Sequence, residues 1–189
     1  MAYVTLIDRP TGFVAKMATR YSRRRFGQDV EPAMVASHHV GVPIAMGALE
    51  TAVLRGWKSL DQRLWWLAIQ ASAGEIGCSW CTDFGYYVGM QEGIDPPKVR
   101  DVPRFGDSDV YDATERAVLD YAVAATATPV VISDELTERL HEHLSEPEIV
   151  ELAGWVALEN YRSRFNAGLG LKSQGFADRC DVAPLPTNV

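Results

Sequence analysis

Residues 77–81 read Gly77-Cys78-Ser79-Trp80-Cys81 and lie where one helical pattern ends and another begins. Two cysteines three positions apart on a helix share a face, so their side chains can close a disulfide or bind one ligand. The start of a helix also lowers the pKa of a thiol placed there. This stretch therefore indicates dithiol chemistry.

Helical periodicity continues on both sides of the cysteines. Apolar residues at 64, 67, 68 and 71 predict an amphipathic helix, which a capping box of Ser59 and Gln62 would open and Gly74 would end. A following helix is expected from Cys78 to about Met90. A second capping box, Ser145 with Glu148, should open the longest helix, which runs to the glycines at 168 and 170.

The remaining periodic segments are helical as well. Asp112 can cap a helix over 112–125, and earlier helices are predicted over 11–26, 31–38 and 42–56. The strand-like run at 130–132 is too short to make a sheet. The sequence therefore predicts a single all-α domain over residues 1–189.

Composition restricts the classes of partner. The chain has 189 residues, 47% of them hydrophobic and 23% charged, so it can bury a sizeable core. Its net charge of −7 argues against nucleic acid as the main partner. No uncharged run approaches the length of a membrane span, and no signal-peptide pattern opens the sequence. We expect a cytoplasmic protein with neither a nucleic-acid nor a membrane partner.

The first predicted helix is basic although the protein is acidic. Residues 9–25 contain no acid and six cations: Arg9, Lys16, Arg20, Arg23, Arg24 and Arg25. A solvated face, or an arm that packs on an acidic neighbouring subunit, is the favoured interpretation. Contact with nucleic acid or an anionic membrane is the alternative.

Three interpretations compete for Cys78 and Cys81. A structural zinc site would need two further ligands, and Cys180 and the histidines at 38, 39, 141 and 143 do not have ligand spacing. The two thiols could also be inert packing groups, because free cysteine behaves as a small hydrophobe. Redox chemistry is favoured over both, with no metal and no cofactor.

At this point the sequence resembles a known family. Residues 60–85, a long helix leading into Cys-x-x-Cys, together with residues 157–166, resemble the carboxymuconolactone decarboxylase superfamily, specifically its alkyl hydroperoxidase D-like branch. The resemblance covers about residues 30–176, which leaves a basic arm over 1–28 and a loose tail over 177–189. It implies an all-α helical bundle with Cys-x-x-Cys at the start of a helix, assembled as a trimer, hexamer or dimer.

The resemblance also implies roles for the two cysteines. In the peroxidase branch the second cysteine, here Cys81, attacks the peroxide, and the first, here Cys78, resolves the sulfenic acid as a disulfide. The expected substrate is a small hydroperoxide or disulfide, and a dithiol protein would act as reductant. The helix dipole, in contrast, favours Cys78 as the nucleophile.

The sequence departs from the branch where protons are transferred. The branch has a glutamate twelve residues before the first cysteine and a histidine four residues after the second, but this chain has Trp66 and Gly85 there. The histidine that some members have before the second cysteine is Trp80. Our first candidate for a substitute is Glu75, whose alternative role is an ion pair with Arg162 or Arg164. Asp83, Tyr86 and Tyr87 are the further candidates.

Two features leave alternatives open. Gly85 and Gly89 follow Cys81 on one stripe of the helix and permit either close helix packing or a cavity beside the sulfurs. Glu159 and Arg162 have ion-pair spacing, for which we favour a structural role over recognition of an anion by Arg162 or Arg164.

Two other function classes remain beside the dithiol enzyme. The chain could be a non-catalytic oligomer that acts as a redox switch or scaffold. A carboxymuconolactone-type decarboxylase is disfavoured, because the characterised decarboxylase branch does not rely on a Cys-x-x-Cys.

Overall fold

The computed structural model describes residues 2–7 and 12–184, without the side chains at 14 and 15. These residues form nine α-helices: α1 Phe13–Phe26, α2 Glu31–Ala36, α3 Gly41–Gly56, α4 Gln62–Ile76, α5 Ser79–Gln91, α6 Pro96–Asp101, α7 Ala113–Thr126, α8 Asp134–His143 and α9 Glu146–Gly168. Two 3₁₀ helices follow α6 and α9, at Val102–Asp107 and Ala177–Arg179. No strand occurs in these ranges, which confirms the all-α prediction.

The described residues divide into two compact units. The first runs to Lys58 and includes residues 169–171, and the second contains Ser59 to Gly168 and the residues from Lys172 on. In the first unit, α1 ends at Gly27, whose φ of 77° is in the left-handed region that favours glycine. The basic last turn of α1 is joined to the loop beyond it, because Arg23 pairs with Asp29 at 2.7 Å. Arg9 lies outside the described residues.

The core of the second unit is built around α4, which packs on α5, α7 and α9. The predicted stripe on α4 at 64, 67, 68 and 71 is buried, as expected. Trp65 of α4 stacks on Trp155 of α9 with ring centroids 4.4 Å apart. This packing fixes the α4–α5 hairpin, which contains both cysteines, against the longest helix.

A buried charge cluster fastens α7 within this unit. Glu115 is fully buried, and Lys98 Nζ lies 2.6 Å from its Oε1 while Arg63 reaches the same oxygen at 3.0 Å. Glu115 also completes a capping box with Asp112, which confirms Asp112 as the cap. One buried carboxylate therefore joins the loop before α7 to α4 and α6.

The helix boundaries correct several predictions. Asp61, not Ser59, caps α4, since its side chain accepts from the Arg63 amide at 2.9 Å. The Ser59 amide instead donates to Glu151 Oε2 at 2.7 Å. Helix α4 continues past Gly74 to Ile76, because Gly74 keeps helical geometry and Gly77 makes the left-handed turn.

The long C-terminal helix is confirmed, whereas two shorter helices were not predicted. The Ser145 hydroxyl and amide both donate to Glu148 Oε2, at 2.6 and 2.8 Å, at the start of α9. Helix α6 has six residues and begins with two prolines, and α8 buries only two of its side chains, Leu136 and Leu140. Both are too short for a clear apolar period.

Candidate functional site: the dithiol hairpin

A sharp turn between α4 and α5 places the two cysteines. Gly77 has a φ of 74°, and Cys78 is the N-cap residue of α5. The Cys81 amide donates to Cys78 Sγ at 3.3 Å, as a serine oxygen would accept in an ordinary cap. Cys78 and Cys81 form a disulfide with their Cα atoms 5.3 Å apart. The predicted Cys-x-x-Cys at a helix start is therefore confirmed.

The two sulfurs differ in their surroundings. Cys78 is 1% exposed and Cys81 is 7% exposed, so Cys81 is the more accessible of the two. Asn166 of α9 donates through Nδ2 to Cys81 Sγ at 3.3 Å. Asn166 is itself buried, and its Oδ1 has no hydrogen-bond partner within the described ranges.

Asn166 was visible in the sequence only as one of several polar residues on a long helix. Its contact with Cys81 depends on how α9 packs across the hairpin, and sequence spacing does not reveal that packing. A polar residue on the buried face of α9 is the signal that could have singled it out.

Gly85 stands where the resemblance would place a relay histidine, and the Gln70 side chain of α4 occupies the space beside it. A Cβ atom built on Gly85 would overlap the amide of Gln70, and one built on Gly89 would overlap the Trp66 indole. Trp66 Nε1 also donates to the Gly85 carbonyl at 3.2 Å. Close packing is therefore what these two glycines permit, and the large side chains come from α4.

Glu75 lies in the last turn of α4 and is exposed. Within the described residues it forms no ion pair with Arg162 or Arg164. Arg162 instead lies 3.4 Å from Glu159, and Arg164 donates to Asn160 at 3.3 Å. Glu75 is thus available to bound molecules, although its part in proton transfer remains a prediction.

Asp83 has a different environment from Glu75. It is buried, and its two oxygens accept from the backbone amides of Gln174, Phe176 and Ala177 at 2.8 to 3.1 Å. Trp80 Nε1 adds a bond to Gln174 Oε1 at 2.7 Å. Asp83 is therefore occupied as an anchor for the stretch 174–177, which explains its presence without a proton-transfer role.

The two candidate tyrosines lie near the same C-terminal stretch. Tyr86 donates its hydroxyl to the Val182 carbonyl at 2.8 Å, and burial raises the pKa of this phenol. The guanidinium of Arg179 lies 4.5 Å from the ring centre of Tyr87. Residues 177–182, expected to be loose, thus contact α5 at several points.

A cavity of about 510 Å³ opens beside the hairpin. Its lining includes Gln70, Gly74 and Glu75 of α4, and Ser79 and Thr82 of α5, although neither cysteine lines it. Volumes of roughly 300–1,000 Å³ are usual for small-molecule sites. The arrangement can accommodate an organic compound beside Ser79 and Thr82, which adjoin the two cysteines in the sequence.

The third cysteine and the histidines do not assemble a metal site. No group of three His, Cys, Asp or Glu side chains with metal-binding geometry occurs in the part of the chain that the structure describes. Cys180 has a free thiol, whose pKa is raised by burial. None of the described helices has the length and apolar character needed to span a membrane.

Comparison with known proteins places this hairpin in a recognised fold. The chain superposes on the debrominase Bmp8 with a TM-score of 0.80 and 22% identity, covering 92% of this chain and 93% of Bmp8. An alkylhydroperoxidase AhpD core protein from Ralstonia eutropha JMP134, described as peroxidase-related, gives 0.75 and 14%, covering 93% and 96%. A peroxidase-related protein from Silicibacter sp. TM1040 gives 0.78 and 16%, covering 90% of both chains.

The sequence similarity to a curated protein covers less of this chain than the structural similarity does. The uncharacterized protein YnjA of Escherichia coli K12 is 30% identical over 98 residues, which are 52% of this chain. The chain spans about half the length of this curated relative, 54%. No protein-family model matches the chain.

The described residues share the helical fold of these solved structures, and the Cys78–Cys81 disulfide lies at the start of α5. This confirms the fold that the sequence resemblance implied. The debrominase among the neighbours demonstrates that the fold is not restricted to peroxidases.

Proposed function

We propose that the protein is a dithiol oxidoreductase whose Cys78 and Cys81 reduce a small hydroperoxide and are then reduced by an external dithiol. The observation that carries the proposal is the disulfide between two nearly buried cysteines at the start of α5. A pair that meets at bonding distance in this fold can accept and return two electrons without a metal or cofactor.

In the proposed cycle, the Cys78–Cys81 dithiol supplies the two electrons that reduce the hydroperoxide to an alcohol and water. The Cys81 thiolate attacks the terminal oxygen of the hydroperoxide, and the O–O bond breaks to give a sulfenic acid and an alkoxide, which takes up a proton to form the alcohol. The Cys78 thiolate then attacks the Cys81 sulfur and displaces hydroxide, which leaves as water after protonation. An external dithiol restores both thiols by exchange and becomes a disulfide itself.

We assign Cys81 as the attacking cysteine on two grounds. It is the more exposed sulfur, and Asn166 is placed to donate a hydrogen bond to its thiolate. In Cys78→Ser protein, peroxide followed by dimedone should label Cys81. Label that appears only in Cys81→Ser protein, on Cys78, would reverse the assignment.

Glu75 is the proposed proton donor and acceptor because it is an exposed cavity carboxylate three residues before Cys78, whereas the nearby Asp83 is buried and accepts from three backbone amides. A positioned acid or base contributes about 10²- to 10⁴-fold to such steps. Glu75→Gln should therefore slow peroxide turnover by at least about tenfold. Glu142→Gln, an exposed carboxylate of α8 outside the cavity, is the matched control and should keep the parent rate.

The activity test is consumption of cumene hydroperoxide with dihydrolipoamide as reductant. Turnover that disappears in both single cysteine variants supports a dithiol peroxidase. If the parent protein shows no turnover but its disulfide still forms and reopens, the result would favour a redox switch or scaffold over a peroxidase.

Reductive dehalogenation is the second candidate function. Bmp8 is a debrominase of closely similar fold, and a cysteine-to-alanine variant of it, bound to 2,3,4-tribromopyrrole, also superposes with a TM-score of 0.79. A dithiol could supply the same two electrons to a carbon–bromine bond, releasing bromide and adding a proton to carbon. Bromide release from 2,3,4-tribromopyrrole, measured in parallel with peroxide consumption, separates the two candidates.

We further infer that the protein is cytoplasmic and, as the resemblance implies, a homo-oligomer. Light scattering should then give a mass that is two, three or six times the chain mass of 20.9 kDa. A mass of one chain at micromolar concentration would contradict this assembly.

A further inference from the structure

We propose that the cavity beside the hairpin is a binding site for a neutral, largely apolar compound, and that it rejects anions of the same shape. The assignment of that compound as the substrate of the dithiol rests on the proposed function. The binding preference itself rests on the walls of the cavity.

The position of the cavity connects it to the dithiol. Thr82, which directly follows Cys81, lines it, as does Ser79 between the two cysteines. Gln70 lines it as well and packs against Gly85, one turn beyond Cys81 on the same face of α5. A bound molecule would therefore lie within about one helical turn of the reacting sulfur.

Part of the cavity wall is hydrocarbon. It is formed by Val99 of α6, by Val102, Pro103 and Phe105 of the first 3₁₀ helix, and by Val123 of α7. Removing apolar ligand surface from water at such a wall is favourable by roughly 25 cal/mol per Å². The wall selects apolar groups such as an aryl or branched alkyl substituent.

The charged groups of the cavity all have one sign. The described residues that line it include the carboxylates of Glu75, Asp83 and Asp178 and no lysine, arginine or histidine. The three amide donors on Asp83 satisfy that carboxylate but leave its charge in place. A carboxylate on the ligand would meet uncompensated negative charge, because no cation in the lining offsets it.

The experiment measures binding separately from turnover. The probes are 2-phenylpropan-2-ol, the alcohol formed from cumene hydroperoxide, and its ring-carboxylated analogue, 4-(2-hydroxypropan-2-yl)benzoate. Both are titrated by ligand-observed NMR into Cys81→Ser protein, which cannot complete the redox cycle. Loss of the proposed function alone would leave this binding unchanged.

A cavity-filling variant locates the bound probe. Gly74 lines the cavity, and a Cβ atom built there meets nothing within 4 Å, so Gly74→Leu should fold and obstruct the cavity. Gly56→Leu is the matched control, since Gly56 is also an exposed helical glycine with free space around its Cβ but lies outside the cavity lining. Circular dichroism verifies that both variants are helical.

We expect the neutral alcohol to bind the parent and Gly56→Leu proteins equally. It should bind the Gly74→Leu protein at least about tenfold more weakly, because a filled cavity loses most of the apolar contact. The carboxylated probe should bind the parent at least about tenfold more weakly than the alcohol. Equal affinities for the two probes would overturn the charge preference. Unchanged binding by Gly74→Leu, or no binding of the alcohol to the parent, would overturn the site.

Discussion

Asn166 is the residue whose contact most directly bears on the reactivity of Cys81. Its Nδ2 lies 3.3 Å from Cys81 Sγ, and the amide is buried, so water competes little for this bond. Hydrogen bonding to the charged form of a group favours that form. In reduced protein the amide should therefore stabilise the Cys81 thiolate.

Asn166→Ala should move the pH midpoint of Cys81 alkylation upward by about 1, since a hydrogen bond to a charged group contributes roughly 1.5–3 kcal/mol. The measurement is the rate of iodoacetamide labelling against pH in reduced Cys78→Ser protein. Asn160→Ala is the control, because Asn160 lies on the same helix as Asn166 but bonds to Thr126 of α7 and to Arg164 of α9. Equal midpoints for both variants would remove Asn166 from any role in thiol activation.

The roles of the residues at the hairpin could be predicted from the sequence only in part. The spacing of Cys78 and Cys81 predicts that the two side chains can form a disulfide, and the structure confirms this pairing. The absence of relay groups is an inference from the family resemblance. Gln70 and Asn166 reach the hairpin from α4 and α9, so their contacts depend on tertiary packing. Asp83 likewise gave no sign in the sequence that its oxygens would be used by a segment about ninety residues further on.

The buried Glu115 cluster is an electrostatic connection among α4, α6 and α7. Removing one partner of a buried pair typically costs about 3–5 kcal/mol, because the remaining charge is left uncompensated. Glu115→Gln should lower the free energy of unfolding by about 3 kcal/mol in urea denaturation.

Asp120→Asn on the same helix is the comparison. Its partner is Arg139, and both side chains are more than a third exposed, so its loss should cost under about 1 kcal/mol. Similar losses for the two variants would mean that the Glu115 cluster contributes no more than a surface pair.

The start of a helix was predicted correctly where a capping residue and an apolar stripe indicated the same position. Asp112 and Ser145 each precede a glutamate at the third helical position and a clear apolar stripe, and both helices start there. Ser59 has the same spacing to Gln62, but the nearer Asp61 caps α4 and the Ser59 amide is bound by Glu151. A tertiary contact thus overrides the local pattern.

Asp83 joins the C-terminal stretch to the hairpin and thereby closes one side of the cavity. Asp83→Asn replaces one acceptor oxygen by an amide nitrogen, which cannot accept from the backbone, at a cost of about 1–3 kcal/mol. Amide exchange at Gln174, Phe176 and Ala177 should accelerate by about tenfold or more if this anchoring holds the stretch in place.

Asp178→Asn, an exposed carboxylate of the same stretch, is the control and should leave these amides protected. Unchanged protection in Asp83→Asn would show that the aromatic contacts of Phe176 hold the stretch without the carboxylate.

The proposed function of the whole molecule requires that the dithiol cycles in the folded protein. The decisive measurement is a redox titration in which reduced protein receives one equivalent of cumene hydroperoxide and then dihydrolipoamide, with alkylated cysteines counted by mass spectrometry. Cys180, a free thiol outside the pair, is the internal control. We predict rapid, stoichiometric formation of the Cys78–Cys81 disulfide and its reversal by the dithiol, with Cys180 alkylated throughout. Cysteines 78 and 81 that remain reduced after peroxide, or a disulfide that the dithiol does not reopen, would contradict the account.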